Sequence, residues 1–106
     1  MGSSWITAIS EILGSFFFIS TILIVTSKNA EGFGVLAAYI IGLALTVSIY
    51  FGGKASLGSF NPAVSIALLL RGDLDIYTTI LYIISETVGA VLAYAWWHAT
   101  LGAVPI

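Results

Sequence analysis

The chain is 106 residues long, 59% hydrophobic and only 8% charged, with a formal net charge of −2 and a mean hydropathy of +1.11. Soluble domains carry roughly 25% charged residues, and a fold in water could not cover this much apolar surface, so a single integral membrane domain is expected. Three bases and five acids are too few for a nucleic-acid interface, and the absence of cysteine excludes disulfides, thiolate nucleophiles and Cys-ligated metals.

Met1-Gly2-Ser3-Ser4 carries no Lys or Arg, so it lacks the charged opening of a signal peptide, and Ile6 stands where a myristoylation pattern needs Ser or Thr. Residues 5–26 form the first apolar stretch long enough to span a bilayer. Trp5 suits an interfacial anchor, and one ionisable residue, Glu11, lies inside the stretch. A polar turn with Lys28 and Glu31 follows. Residues 33–51 form the second predicted span, in which Gly34, Ala38 and Gly42 recur every four residues; such a small-residue stripe lets helices approach closely. Residues 52–59 hold three glycines, at Gly52, Gly53 and Gly58, and break any helix.

Next comes a segment of unusual length. Asn61 is a good helix N-cap, and Pro62 suits the first helical position because its missing N–H is not needed there. The apolar run that follows stops at Arg71-Gly72-Asp73. Residues 61–70 therefore make a helix of roughly 15 Å, about half the roughly 30 Å of a bilayer core. Asp73 or Asp75 can cap the next helix. Residues 76–98 form the third predicted span, with Glu86 inside it, Gly89 and Ala93 repeating the small-residue spacing, and Tyr77, Tyr82, Trp96 and Trp97 near its ends. The expected fold is an all-α membrane protein in which residues 1–106 form one unit of three transmembrane helices and one re-entrant half-helix. Irregular backbone at membrane depth survives only where it is buried in protein or lines a wet cavity, so residues 52–61 are expected to line one.

Three stretches carry a family resemblance. Asn61-Pro62-Ala63-Val64-Ser65 resembles the Asn-Pro-Ala box of the aquaporin and glycerol-facilitator family, the major intrinsic proteins. Ser10-Glu11-Ile12-Leu13-Gly14-Ser15 resembles the acidic opening of that family's first helix, and residues 82–90, with Glu86, its third. Ser56 and Gly58 partly match the run that precedes the box. The departures are informative. The family normally carries two inverted units per chain, each with a box, whereas this chain has one box and no internal repeat: half of the aquaporin fold. Ser59 stands where a His is common, Val64 follows the box where the second unit usually has its filter Arg, and Glu86 stands where Gln is frequent.

The resemblance implies a passive channel for water and small neutral solutes such as glycerol, with no cofactor and no enzymatic activity. Asn61, Pro62, Ala63 and Val64 would line the pore beside the backbone carbonyls of Gly58, Ser59 and Phe60, with Ile41 at the narrow filter; for Ile41, packing against lipid or core is the alternative. Asn61 can serve as plain cap and pore residue together. Acids inside spans are costly and default to a functional role. For Glu11 and Glu86 the expected role is to hold the re-entrant loop, in preference to proton relay or substrate binding, since no adjacent span offers a His or Lys partner. Lys54 is read as snorkelling to the interface, and His98 as interfacial, because a metal site needs partners that are absent. Three spans is an odd number, so rebuilding an inverted pore from copies of this chain requires opposite insertion. The weak charge bias, Lys54 and Arg71 against Lys28, suits such dual topology. The expected partner is a second copy in an antiparallel homodimer, four such pores forming the assembly by analogy. The rival readings are a subunit or fragment of a two-chain channel and a non-transporting membrane scaffold.

Overall fold

The computed structural model describes residues 4–27, 33–52, 56 and 58–102. Lys28 and Lys54, on which the charge-bias and snorkelling readings rest, lie outside the described residues, as do most of the first polar turn and part of the Gly-rich stretch. The described chain is helical: α1 (Ser4–Val25), α2 (Leu36–Gly52), α3 (Pro62–Arg71) and α4 (Ile76–Trp97), the last running on into a π-helical turn, His98–Gly102.

Among the described residues two helices, α1 and α4 with its π-helical extension, are long and apolar enough to cross a membrane. The second helix is shorter than its apolar stretch: at 17 residues it spans roughly 25 Å. The shortening lies at its start, where Phe33–Val35 form a turn and Gly34 adopts a positive φ of 47°. The third helix has ten residues. Its N-cap is Asn61, whose side chain accepts from the Ala63 N–H, with Pro62 in the first turn. Its end is closed by Gly72, at φ 94°, whose N–H reaches the Leu68 and Leu69 carbonyls, while the Asp73 N–H adds a 2.9 Å bond to Leu68 O; a glycine in this left-handed conformation is the usual way to satisfy the last carbonyls. Of the two candidate caps for α4, Asp75 fills the role, its Oδ1 accepting from the Thr78 N–H at 2.7 Å. That bond holds the Asp75 carboxyl below its ordinary value of 3.8. Asp73 instead pairs with the Arg71 guanidinium, Nε to Oδ2 at 2.7 Å.

The burial pattern is inverted relative to a protein folded in water. The buried residues of α1 are Thr7, Glu11, Ser15, Ser20 and Val25, while Trp5, Ile6, Ile9, Leu13, Phe17 and Ile24 are exposed. On α4 the buried set is Thr79, Tyr82, Ser85, Glu86, Gly89 and Ala93, with Ile76, Ile80, Ile84, Val88, Val91 and Leu92 outside. Water would drive the apolar side chains inward. A polar and small interior under an apolar exterior is the arrangement that hydrocarbon solvent favours, because lipid offers apolar groups a neighbour as good as the core and offers polar groups none.

The most extensive contact joins α1 to α4; α2 packs on α1, and α3 packs on α4. The close α1–α4 approach depends on Gly89, where an added Cβ would fall 2.7 Å from Ile12 O and 3.0 Å from Phe16 N. The small-residue stripe of α2 behaves differently. Gly34, Ala38 and Gly42 are all exposed, and a Cβ on Gly34 or Gly42 would meet nothing within 4 Å, so the stripe takes no part in packing among the described residues. Gly89→Ala should therefore destabilise the protein by roughly 1–3 kcal/mol, since the opposing atoms are backbone and cannot swing aside. Gly42→Ala should be neutral or slightly stabilising. Thermal unfolding of the detergent-solubilised protein checks the contrast: a lowered Tm for Gly89→Ala alone is expected.

Candidate functional site

The connection from α2 into α3 must place irregular backbone against apolar helices, so each of its polar groups needs a partner from the protein. The Glu11 carboxylate on α1 supplies two. Its Oε1 accepts from the Phe60 N–H at 3.0 Å, and its Oε2 accepts from the Ser56 hydroxyl. Ser56 also accepts at its Oγ from the Gly58 N–H, at 3.2 Å, and its own N–H donates to Gly52 O at 3.0 Å. Glu11 is fully buried, and Ser56, Ser59 and Phe60 are buried around it. The turn itself requires unusual backbone: Gly58 has φ 68° and Phe60 has φ 51°. Glycine adopts such values freely, whereas phenylalanine does so only where its surroundings impose it.

A second anchor fixes α3 to α4. The Ser65 hydroxyl donates to the Glu86 carboxyl, at 3.1 Å to Oε1 and 3.0 Å to Oε2. Ser65 Oγ also lies 2.6 Å from Ser59 Oγ. The Ser59 hydroxyl also donates to the Asn61 carbonyl at 3.1 Å, so the two serines join the Glu86 carboxyl to the backbone at the start of the half-helix. Ser65 is the buried residue of α3, so the bond to Glu86 reaches the half-helix where it is most enclosed.

The remaining predicted site residues lie on the open side. Asn61, Pro62, Ala63 and Val64 are exposed. Asn61 Oδ1 is taken by the Ala63 N–H at 2.8 Å, and its amide protons have no acceptor among the described residues. Ile41 is half-buried on α2, a helix that packs on α1 rather than extensively on α3. The structure thus brings Glu11, Glu86 and residues 58–60 into one buried network. It leaves Asn61 and the first turn of α3 uncovered at the network's edge. Three participants were not singled out from the sequence: the Ser65 hydroxyl as a bridge, and Gly14 and Gly52 as the seats of the Phe60 ring. A signal existed in the spacing of Thr7, Glu11 and Ser15, polar residues recurring every four positions along an apolar helix.

Comparison with known proteins gives the family. The model of the Major intrinsic protein family matches residues 2–104. Glycerol uptake facilitator protein-like 6 of Lactiplantibacillus plantarum is 41% identical over 90 residues, covering 82% of this chain and 40% of that protein. Aquaporin-8 of Rattus norvegicus is 36% identical over 100 residues, 89% of this chain and 38% of its own length. Aquaporin Z of Photorhabdus laumondii is 33% identical over 91 residues, 81% and 39% respectively. No solved structure matches the chain. The apolar helices and this family match are those of an integral membrane protein. The chain belongs to the major intrinsic protein family. It spans less than half the length of the relatives just described.

Glu11→Ala would leave the Phe60 N–H and the Ser56 hydroxyl without their acceptor in a buried site, at a cost of roughly 1–3 kcal/mol. A lowered Tm and faster proteolysis of the α2–α3 connection are expected. An unchanged Tm with intact protease resistance would show that the loop is held by other contacts.

Proposed function

We propose that the chain supplies one half of a transmembrane channel for water and small neutral solutes such as glycerol, and that a second copy in inverted orientation completes the pore. Three apolar helices, α1, α2 and α4, would span the bilayer, while α3 re-enters and stops near its midplane. The observation that carries this reading is the exposed Asn61 at the start of a ten-residue helix, held from behind by two buried acids that satisfy an irregular loop. A helix N-terminus carries roughly +0.5 of an elementary charge. Two such ends facing each other oppose cations and protons, while amide donors hold the oxygens of a solute file.

In this arrangement Asn61 contributes its free amide protons, and the backbone carbonyls of Gly58, Ser59 and Phe60 accept from the solute. Pro62, Ala63 and Val64 form the wall beside them. Glu11 and Glu86 hold the loop rather than carry protons, since each is engaged by hydroxyl or N–H donors of the loop and half-helix. With Val64 in place of a filter Arg and Ser59 turned into the buried network, the narrow region is wider and less polar than a strict water filter, with Ile41 contributing to its wall. The relatives include proteins named for glycerol uptake and proteins named as aquaporins, consistent with either solute. The antiparallel pair follows from the odd number of spans, and four such pairs would complete the assembly.

The match to less than half of each relative also suits a second reading, in which the complementary half is a different polypeptide. Stopped-flow osmotic measurements on proteoliposomes of the purified chain separate the two. Water and glycerol flux well above empty liposomes, reduced by Asn61→Asp, is the expected result; flux absent from the pure chain and restored only with another protein would favour the second reading.

A further inference from the structure

The third helix is tied to α4 through Ser65, but its connection to α1 and α2 passes through the loop, and the largest side chain in that connection is Phe60. Phe60 is 2% exposed. It occupies the space that glycines leave on both neighbouring helices. A Cβ added at Gly14 would fall 2.1 Å from ring Cε1, and one at Gly52 would fall 2.7 Å from ring Cζ. The ring therefore rests directly on the backbones of α1 and of the last turn of α2. Its own backbone is fixed from the other end, with the N–H on Glu11 and φ at 51°. Asn61, the next residue, begins the half-helix.

We propose that Phe60 is the positioning residue of the half-helix: its ring, wedged between Gly14 and Gly52, sets the depth and tilt at which Asn61 stands and thereby which solutes pass. This rests on the channel reading above. A ring held on two helix backbones cannot move toward either of them without displacing it. A left-handed phenylalanine also transmits any displacement of the ring to the residue that follows, since its φ has little room to relax. The wedge is a size match, and it predicts size compensation: a methyl group added at Gly14 should be tolerated only when the ring is removed.

The test compares wild type, Gly14→Ala, Phe60→Ala and the double variant in proteoliposomes at equal incorporated protein. Gly14→Ala should lower water flux by about tenfold, as overpacking displaces the ring. Phe60→Ala should alter the ratio of glycerol to water flux several-fold, a readout that loss of folded protein alone does not move. The double variant should match Phe60→Ala within about twofold, the non-additivity expected of residues in contact. Gly14→Ala with wild-type flux and ratio, or a double variant as impaired as the two defects multiplied, overturns the wedge. Because the chain has no cysteine, spin labels at Ile66→Cys on α3 and Ile84→Cys on α4 give a second readout independent of transport. Their separation should change in Gly14→Ala and return in the double variant. If the wild-type protein passes neither solute, the channel reading fails while this distance still decides the wedge: a separation unmoved by Gly14→Ala overturns it.

Discussion

The structure depends on one buried carboxylate. Glu11 reaches from the first helix to the Phe60 N–H and the Ser56 hydroxyl, and without it the turn from α2 into α3 would hold unpaired donors in a place water cannot reach. A regular helix satisfies its own backbone; a chain that leaves helical geometry among apolar helices must borrow partners from its neighbours. An acid inside a span is costly. Here that cost is offset by the two donors it accepts from, the Phe60 N–H and the Ser56 hydroxyl. Glu86 does the same for the half-helix through Ser65. The two acids thus bracket the connection, one holding its backbone and the other holding the helix it leads into.

The rest of the fold follows from the same solvent logic. Polar and small side chains point inward, so helices meet through Gly89 against the Ile12 carbonyl rather than through interleaved leucines. The apolar residues that would form a core in water cover the outside. The open face lies at the start of α3, where Asn61 and Ala63 are exposed beside an otherwise satisfied network. The proposed pore half would need such a face, because a surface that lines a channel cannot be filled by the chain's own side chains.

Much of this was legible in the amino-acid sequence because the signals were local. The Asn61–Pro62 start and the Gly72 stop define α3 by capping chemistry, and the helix runs from Pro62 to Arg71. Asp75 was one of two possible caps, and the choice between them required the Arg71–Asp73 pairing, which spacing alone does not decide. The acids were conspicuous against an apolar background, but the identity of their donors was not, because Ser56 and Ser65 are 45 and 21 residues away from their respective acids. The stripe of Gly34, Ala38 and Gly42 looked like a packing face within the chain and is exposed instead. A four-residue spacing shows that a helix can be approached closely, not which helix approaches it. Phe60 was invisible as a wedge because its φ and the two glycines beneath it come together only in the folded chain.

In the proposed channel two half-helices meet with their N-termini together, each carried by its own copy of the chain. In a protein without cysteine, the direct measurement is oxidative cross-linking in native membranes of single-cysteine variants placed at the two ends of α3. Ala63→Cys, at the first turn, should form a disulfide-linked dimer; Leu70→Cys, exposed at the opposite end, should not. Cross-linking at Leu70→Cys with none at Ala63→Cys would contradict the head-to-head arrangement.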